Sequence, residues 1–310
     1  MAVDIQALKT PPPDDTRAEE LIAECRSRLG GKWRLLSASV KLSKAIFEAE
    51  YDGRRVIGKV SGSKRAQTAF GSLQVLRDAG LRPPSEFVVP EPIAWFDDLK
   101  LLVLEKAPGV AVTSSLQDGM DTEAYVRRAA EWLQCLQALE LSLPEDHFNA
   151  EAAEKRATEL INAVGGGIVE ETARGVIDIL RVTPSTLVPS HGDFHPMNVF
   201  VSPQRVTVID LDTVALREPE ADVGYFLAQT ANFGLLIFDT LDVTRELRAL
   251  FLGAFPDLDR KRLCAHVAGA LLQSLHYDAC ILKIKNDKAG LMVRAASEVL
   301  NTGSLHLAGA

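Results

Sequence analysis

The sequence predicts an α+β chain, with its strands gathered toward the N-terminus and helices filling most of the rest. Two observations carry that expectation. Between Trp33 and Val60 the apolar residues recur at short period in three runs, WRLLSASVKL, AIFEAEY and RRVIGKV, the pattern of half-buried strands. From Asp121 onward the period lengthens: Tyr125, Ala129, Trp132, Leu133, Leu136 and Leu139 make one apolar stripe at helical spacing. At 310 residues the chain is long enough for one bilobal domain or two modest ones.

Taken in order, residues 1–14 end in Pro11-Pro12-Pro13 and are expected to be a mobile leader. A helix follows, with Ala18, Leu21, Ile22, Cys25 and Leu29 at helical spacing and Gly30-Gly31 to end it. The second and third strands turn back at Asp52-Gly53, a hairpin dipeptide. A helix over roughly 64–79 comes next, then two strands around Ile93–Phe96 and Leu101–Leu104 flanking an Asp97-Asp98 turn. Helical patterns continue at roughly 149–164 and 167–181, and later at 240–254, 257–285 and 288–301. The glycine run Gly165-Gly166-Gly167 lies between helices with no Lys-Ser/Thr pair after it, so it is not a P-loop.

Composition narrows the function classes. A hydrophobic content of 47% with 25% charged residues is ordinary for a globular protein. A net charge of −8, with no long Lys/Arg run, argues against a nucleic-acid binder. The four cysteines (Cys25, Cys135, Cys264, Cys280) are scattered without a CxxC, which points to buried thiols in a reducing compartment. There is neither a signal-peptide pattern nor an apolar stretch near the ~20 residues that span a bilayer. A cytoplasmic protein with no membrane partner is therefore expected.

The chemistry concentrates in Ser190 to Asp212, SHGDFHPMNVFVSPQRVTVIDLD. Val199-Phe200-Val201 and Val206-Thr207-Val208 read as two short strands joined by a turn at Ser202-Pro203-Gln204-Arg205. A hairpin folded about Pro203-Gln204 sets Asn198 opposite Ile209 and diagonal to Asp210. An amide and a carboxylate so placed suit Mg²⁺, which takes few protein oxygens and leaves its other positions to water and phosphate. Protein kinases place a catalytic Asp two residues after a His, a metal-binding Asn five residues further on, and a second metal-binding Asp beyond. His191, Asp193, Asn198 and Asp210 keep that order and spacing, with Gly192 where kinases have Arg.

HGDFHPMN followed by VIDLD resembles the aminoglycoside phosphotransferase and choline kinase superfamily, the small-molecule relatives of protein kinases. The resemblance implies a bilobal protein-kinase-like fold. Residues 15–106 would be a small N-terminal lobe of antiparallel sheet with a helix, and 107–310 a larger, mainly helical C-terminal lobe. It implies an ATP-dependent (or GTP-dependent) small-molecule kinase using Mg²⁺. Asp193 would take or orient the proton of the acceptor hydroxyl, and Asn198 and Asp210 would hold the metal. Lys59, in the third strand, would steady the α- and β-phosphates. LVLEKAPG is similar to the hinge of this family, where the adenine meets the backbone from Glu105 through Lys106 to Ala107. Asp212 would support the metal through water or orient the acceptor, and Asp222 would brace the catalytic loop. His191 is read as a structural residue of that loop, and His195 as a packing or hydrogen-bonding residue near the acceptor.

Two departures stand beside the resemblance. SASVKLSK, between the first two strands, holds no glycine, so no Gly-rich lid over the phosphates is visible. The helix after Lys59 has no Glu to hold that lysine, offering Gln67, Ala69 and Ser72 on the relevant turns. The lysine is then steered by Asp210 and the nucleotide, or the site is weakened. The alternative to catalysis is a degenerate kinase-fold module that binds nucleotide or a partner. A hydrolytic metal site built on His191, Asp193, His195, Asp210 and Asp212 lacks HxHxDH or HExxH spacing and leaves Asn198 and Lys59 unexplained. Only eight residues separate Asp210 from Pro219, too few for a peptide-docking activation segment. The acceptor is expected to be a small hydroxyl compound: an antibiotic, amino alcohol, sugar or specialised metabolite.

Overall fold

The structure is a computed structural model that describes residues 15–41, 44–60, 65–118, 120–184, 186–284, 288–305 and 307. The leader 1–14, and Leu42-Ser43 of the glycine-free loop, lie outside the described residues. The elements run α1 (Asp15–Leu29), β1 (Trp33–Lys41), β2 (Lys44–Tyr51), β3 (Arg54–Val60), α2 (Arg65–Asp78), β4 (Phe87–Val88), β5 (Pro92–Phe96) and β6 (Leu101–Glu105). They continue as β7 (Val110–Ala111), α3 (Val112–Asp118), α4 (Thr122–Gln137), α5 (Ala150–Val164), α6 (Ile168–Leu180), β8 (Val188–Ser190), β9 (Val199–Val201), β10 (Val206–Val208) and β11 (Ala215–Arg217). The chain closes with α7 (Glu220–Phe238), α8 (Arg245–Leu252), α9 (Arg260–His276) and α10 (Ala289–Thr302).

Two compact units divide these elements. The first holds residues up to Val110 together with Phe200–Val214. Its main sheet has the order β1-β2-β3-β6-β5, every neighbour antiparallel. Strand alternation sorts the side chains to two faces. Ala45, Phe47, Ala49, Val56, Leu101 and Val103 pack with Ala18, Leu21, Ile22 and Cys25 of α1 in one buried cluster. The opposite face carries Ile46, Ile57, Lys59, Leu102 and Leu104, register partners in the pairs Ile46↔Lys59, Lys59↔Leu102 and Ile57↔Leu104. Lys59 therefore sits among aliphatic side chains, with Glu48, the register partner of Ile57, on the same face. β1 runs on through Ser37–Lys41, so most of the segment expected as a loop is paired strand. The turn after β9 closes where the sequence placed it, with Ser202 N–H donating to Arg205 O at 2.9 Å.

The second unit, Ala111–Val199 and Ala215–Ala310, is mainly helical. Asp121 caps α4 by accepting from Ala124 N at 3.1 Å, and Asn149 caps α5 by accepting from Ala152 N at 2.9 Å. α4 buries Trp132, Leu133 and Leu136; α6 buries Val169, Val176, Ile177 and Leu180. Helices α7 and α9 cross closely at Gly224, where a Cβ would stand 2.6 Å from His266 Cβ. α9 stops at His276 and passes into a π-helical turn over Tyr277–Ile281, shortening the single long helix expected there. β8 and β11 form a three-residue antiparallel ribbon, and α3 spans seven residues. Both are too short for periodicity to reveal.

Candidate active site

In the first unit a cavity of 330 Å³ lies on the Lys59 face of the sheet, walled by Ile46, Ile57, Leu102, Leu104, Ile209 and Leu211. Lys59, Asp210 and Asp212 bring the charge to it, and Glu105, Lys106 and Ala107 line it as well. Lys59 Nζ forms an ion pair with Asp210 Oδ1. Asp210 has φ of 65°, a left-handed backbone uncommon for a residue with a side chain and concentrated at functional sites. Helix α2 turns Ala69 and Leu73 toward this cavity, and its Gln67 is exposed. Asp210 thus supplies the carboxylate that α2 lacks.

The side chains of the 105–107 segment are tied to neighbouring strands. Glu105 Oε1 accepts from Arg205 Nη2 at 2.7 Å, and Lys106 Nζ donates to Glu48 Oε2 at 2.8 Å. The amides of Glu105 and Lys106 go to Glu91 O at 2.9 Å and Arg55 O at 3.0 Å. Ala107 is buried.

The second unit carries the HGDFHPMN loop. Asp222, nearly fully buried in the first turn of α7, accepts from the His191 amide at 2.6 Å and the Gly192 amide at 2.8 Å. Gly192 has φ of 81°, a conformation that an Arg would adopt only under strain, which accounts for glycine between His191 and Asp193. His191 is fully buried, and its Nδ1 accepts from the Asp193 amide at 3.1 Å. Phe194 points into the core and stacks on Trp132 at 5.7 Å between centroids. With Phe194 inward, Asp193 and His195 on either side turn the other way.

Asp193 is ringed by polar hydrogens. His195 Nε2 lies 3.6 Å from Asp193 Oδ2 and 3.1 Å from Asn198 Nδ2. Tyr225, on α7, acts on the charge of the Asp193 carboxyl, and its ring stands 6.1 Å from that of His195. Burial disfavours the charged carboxylate, but the polar groups of His195 and Tyr225 and the field of His191 outweigh it, holding Asp193 below the usual carboxylate range. Burial together with Asp193's charge pushes the Tyr225 phenol well above its ordinary value. The pair is therefore an anion and a neutral donor at neutral pH.

Asn198 is also oriented by the loop. Its Nδ2 donates to Asp193 O at 3.0 Å, so its nitrogen end is committed and the amide oxygen is the end left for a cation. That oxygen and the Asp210 carboxylate are hard donors of the kind Mg²⁺ accepts. Among the described residues no group of three or more His, Cys, Asp or Glu could hold a metal.

Lys59, Glu105, Lys106, Ala107, Asp210 and Asp212 thus belong to the first unit, and His191, Asp193, His195, Asn198 and Asp222 to the second. Sequence reasoning missed the influence of Tyr225 on Asp193 and the cluster around Glu218. There Arg262 is ion-paired with Glu218 and His266 Nε2 lies 2.9 Å from it, drawing its pKa to about 2 against the opposing effect of burial.

A fold of this kind, with these motifs, defines the small-molecule phosphotransferases related to protein kinases. The model of the phosphotransferase enzyme family matches residues 42–264, and the chain belongs to that family. No curated protein sequence matches it. Among solved structures it is similar to aminoglycoside phosphotransferase APH(4)-Ia, at 17% identity and TM-score 0.65 over 94% of this chain and 99% of that one. It is similar to choline kinase LicA from Streptococcus pneumoniae, at 17% identity and TM-score 0.61 over 92% and 99% of the two chains. Spectinomycin phosphotransferase APH(9)-Ia, solved with ADP and spectinomycin, matches at 13% identity and TM-score 0.61 over 93% and 96%. These likenesses show the protein-kinase-like fold expected from the sequence. No helix among the described residues is long and apolar enough to cross a membrane.

Proposed function

We propose that the protein is a small-molecule kinase that moves the γ-phosphoryl group of ATP (or GTP) to a hydroxyl. The observation that carries this reading is the meeting of Lys59 and Asp210, 151 residues apart in sequence, at one aliphatic cavity. A flat apolar slot with a cation and a carboxylate at its edge suits a purine joined to a magnesium-bound phosphate chain. The adenine lies among Ile57, Leu102 and Leu104, with its edge at the backbone of Glu105 to Ala107. Lys59 holds the α- and β-phosphates. Asn198 and Asp210 hold Mg²⁺, with Asp212 in support, and the ion when bound neutralises charge on the phosphate oxygens.

Asp193 orients the acceptor hydroxyl and takes its proton. As the acceptor oxygen bonds to the γ-phosphorus, the bond from that phosphorus to the β–γ bridging oxygen breaks. ADP leaves with the electron pair, and the proton on Asp193 passes to solvent. Tyr225 and His195 keep Asp193 anionic until the hydroxyl arrives, and Asp222 and His191 fix its backbone. Little covalent help is needed, so positioning carries most of the rate.

Thermal unfolding followed with and without MgATP tests the nucleotide half of the proposal. MgATP is expected to raise the midpoint by several degrees. Asp210→Asn is expected to lose the increment that Mg²⁺ adds to ATP alone. A midpoint unmoved by MgATP would favour a fold that has lost its nucleotide.

A further inference from the structure

Carboxylates beside the HGDFHPMN loop already have partners, Asp146 with Arg217 among them. Asp222 serves two loop amides, Glu218 serves Arg262 and His266, and Glu220 accepts from the Asp259 amide at 2.8 Å. A cavity of 190 Å³ opens on the other side of Tyr225, between α5, α6, α7 and α9. Leu160, Val169, Ala173, Val176 and Ile177 wall it, and its charged or titratable lining comes from Arg156, Tyr225, His266 and His276, with no carboxylate. An adjoining space of 290 Å³ shares Phe148, Tyr225, His266 and Gln273 with it, reaches Gly192, the residue before Asp193, and is lined also by the partnered carboxylates Asp146, Glu218 and Asp222. Tyr225 lines both spaces, and its ring stands 6.1 Å from that of His195, whose Nε2 is 3.6 Å from Asp193 Oδ2.

Resting on the kinase reading above, we propose that the acceptor is a hydroxyl compound with an apolar, uncharged body. Its hydroxyl lies at Asp193 and its hydrocarbon part lies in this cavity past Tyr225. An aminoglycoside would bring ammonium groups against aliphatic walls and Arg156, losing hydration with no carboxylate to replace it. A hydrocarbon loses nothing there and gains by leaving water.

The test is a series of primary alcohols, 1-butanol, 1-hexanol and 1-octanol, with kanamycin and choline as cationic comparators. Binding is measured by calorimetry and ligand-observed NMR on the full chain with MgAMP-PNP. Each methylene that enters the cavity is expected to tighten binding about fourfold, or about 16-fold from butanol to hexanol. Kanamycin and choline are expected to bind at least about tenfold more weakly than 1-octanol. Ala157→Phe, at the half-buried rim of the cavity, is expected to flatten the chain-length series while leaving the MgAMP-PNP affinity unchanged. Ala173→Leu serves the same purpose should the first variant fold poorly.

A flat series in the wild type, a series untouched by the filled cavity, or tighter binding of kanamycin would overturn the inference. MgAMP-PNP affinity, read separately, keeps the two proposals apart. Nucleotide bound with no alcohol series defeats the acceptor assignment alone. An alcohol series without nucleotide binding supports the cavity and defeats the kinase reading.

Discussion

At Asp193 burial and the surrounding polar groups oppose each other, and the polar groups win. Burial alone would raise the pKa of this carboxyl, yet Tyr225 and His195 hold it below 3.8. A group whose pKa falls on folding is ionised above that value, so Asp193 is a ready acceptor throughout the neutral range and fails only as pH drops through its lowered pKa. Removing the phenol hydroxyl should let the value climb. In Tyr225→Phe a carboxyl-carbon NMR titration is expected to move the Asp193 midpoint upward toward 3.8, with kcat reduced several-fold. An unchanged midpoint would show that Tyr225 contributes nothing to the charge on Asp193.

Between elements, the join of α7 to α9 carries the most specific interactions. Glu218, just before α7, is almost fully buried and meets Arg262 and His266 of α9. Its pKa of about 2, against 4.5 for the free group, corresponds to about 3 kcal/mol of stability. That contribution is complete above pH 4.5 and is lost as pH falls through about 2. Glu218→Gln is expected to cost about 3 kcal/mol in urea unfolding at pH 7, with the gap to wild type closing between pH 4.5 and pH 2. Closer to the crossing, Gly224→Val would put a side chain 2.6 Å from His266 Cβ and against α9 backbone. A loss of about 1–3 kcal/mol in the same experiment is expected.

Across the whole molecule, what was legible in the sequence depended on how local the information was. The strands from Trp33 to Val60, the Asp52-Gly53 turn and the helices α4 to α6 follow from periods and caps within a few residues. The site motif was legible because kinase chemistry fixes the spacing of His191, Asp193, Asn198 and Asp210. Partners far apart in sequence were not. Steering of Lys59 by Asp210 and the nucleotide stood beside the alternative of a weakened site, because no local pattern links residues 151 apart. No local pattern ties Tyr225 to Asp193, and none marks Arg262 as the partner of Glu218, 44 residues away. Pairing across long loops is decided by packing, which a single sequence does not display.

The measurement that bears most directly on the mechanism compares wild type with Asp193→Asn. ³¹P NMR would follow the phosphate ester formed from MgATP and an accepted alcohol, and calorimetry would follow MgAMP-PNP binding to the same two proteins. Ester formation is expected to fall about a thousandfold in the variant while nucleotide affinity stays within about twofold of wild type. A variant that makes the ester at the wild-type rate would contradict the assignment of Asp193 as the group that receives the acceptor's proton.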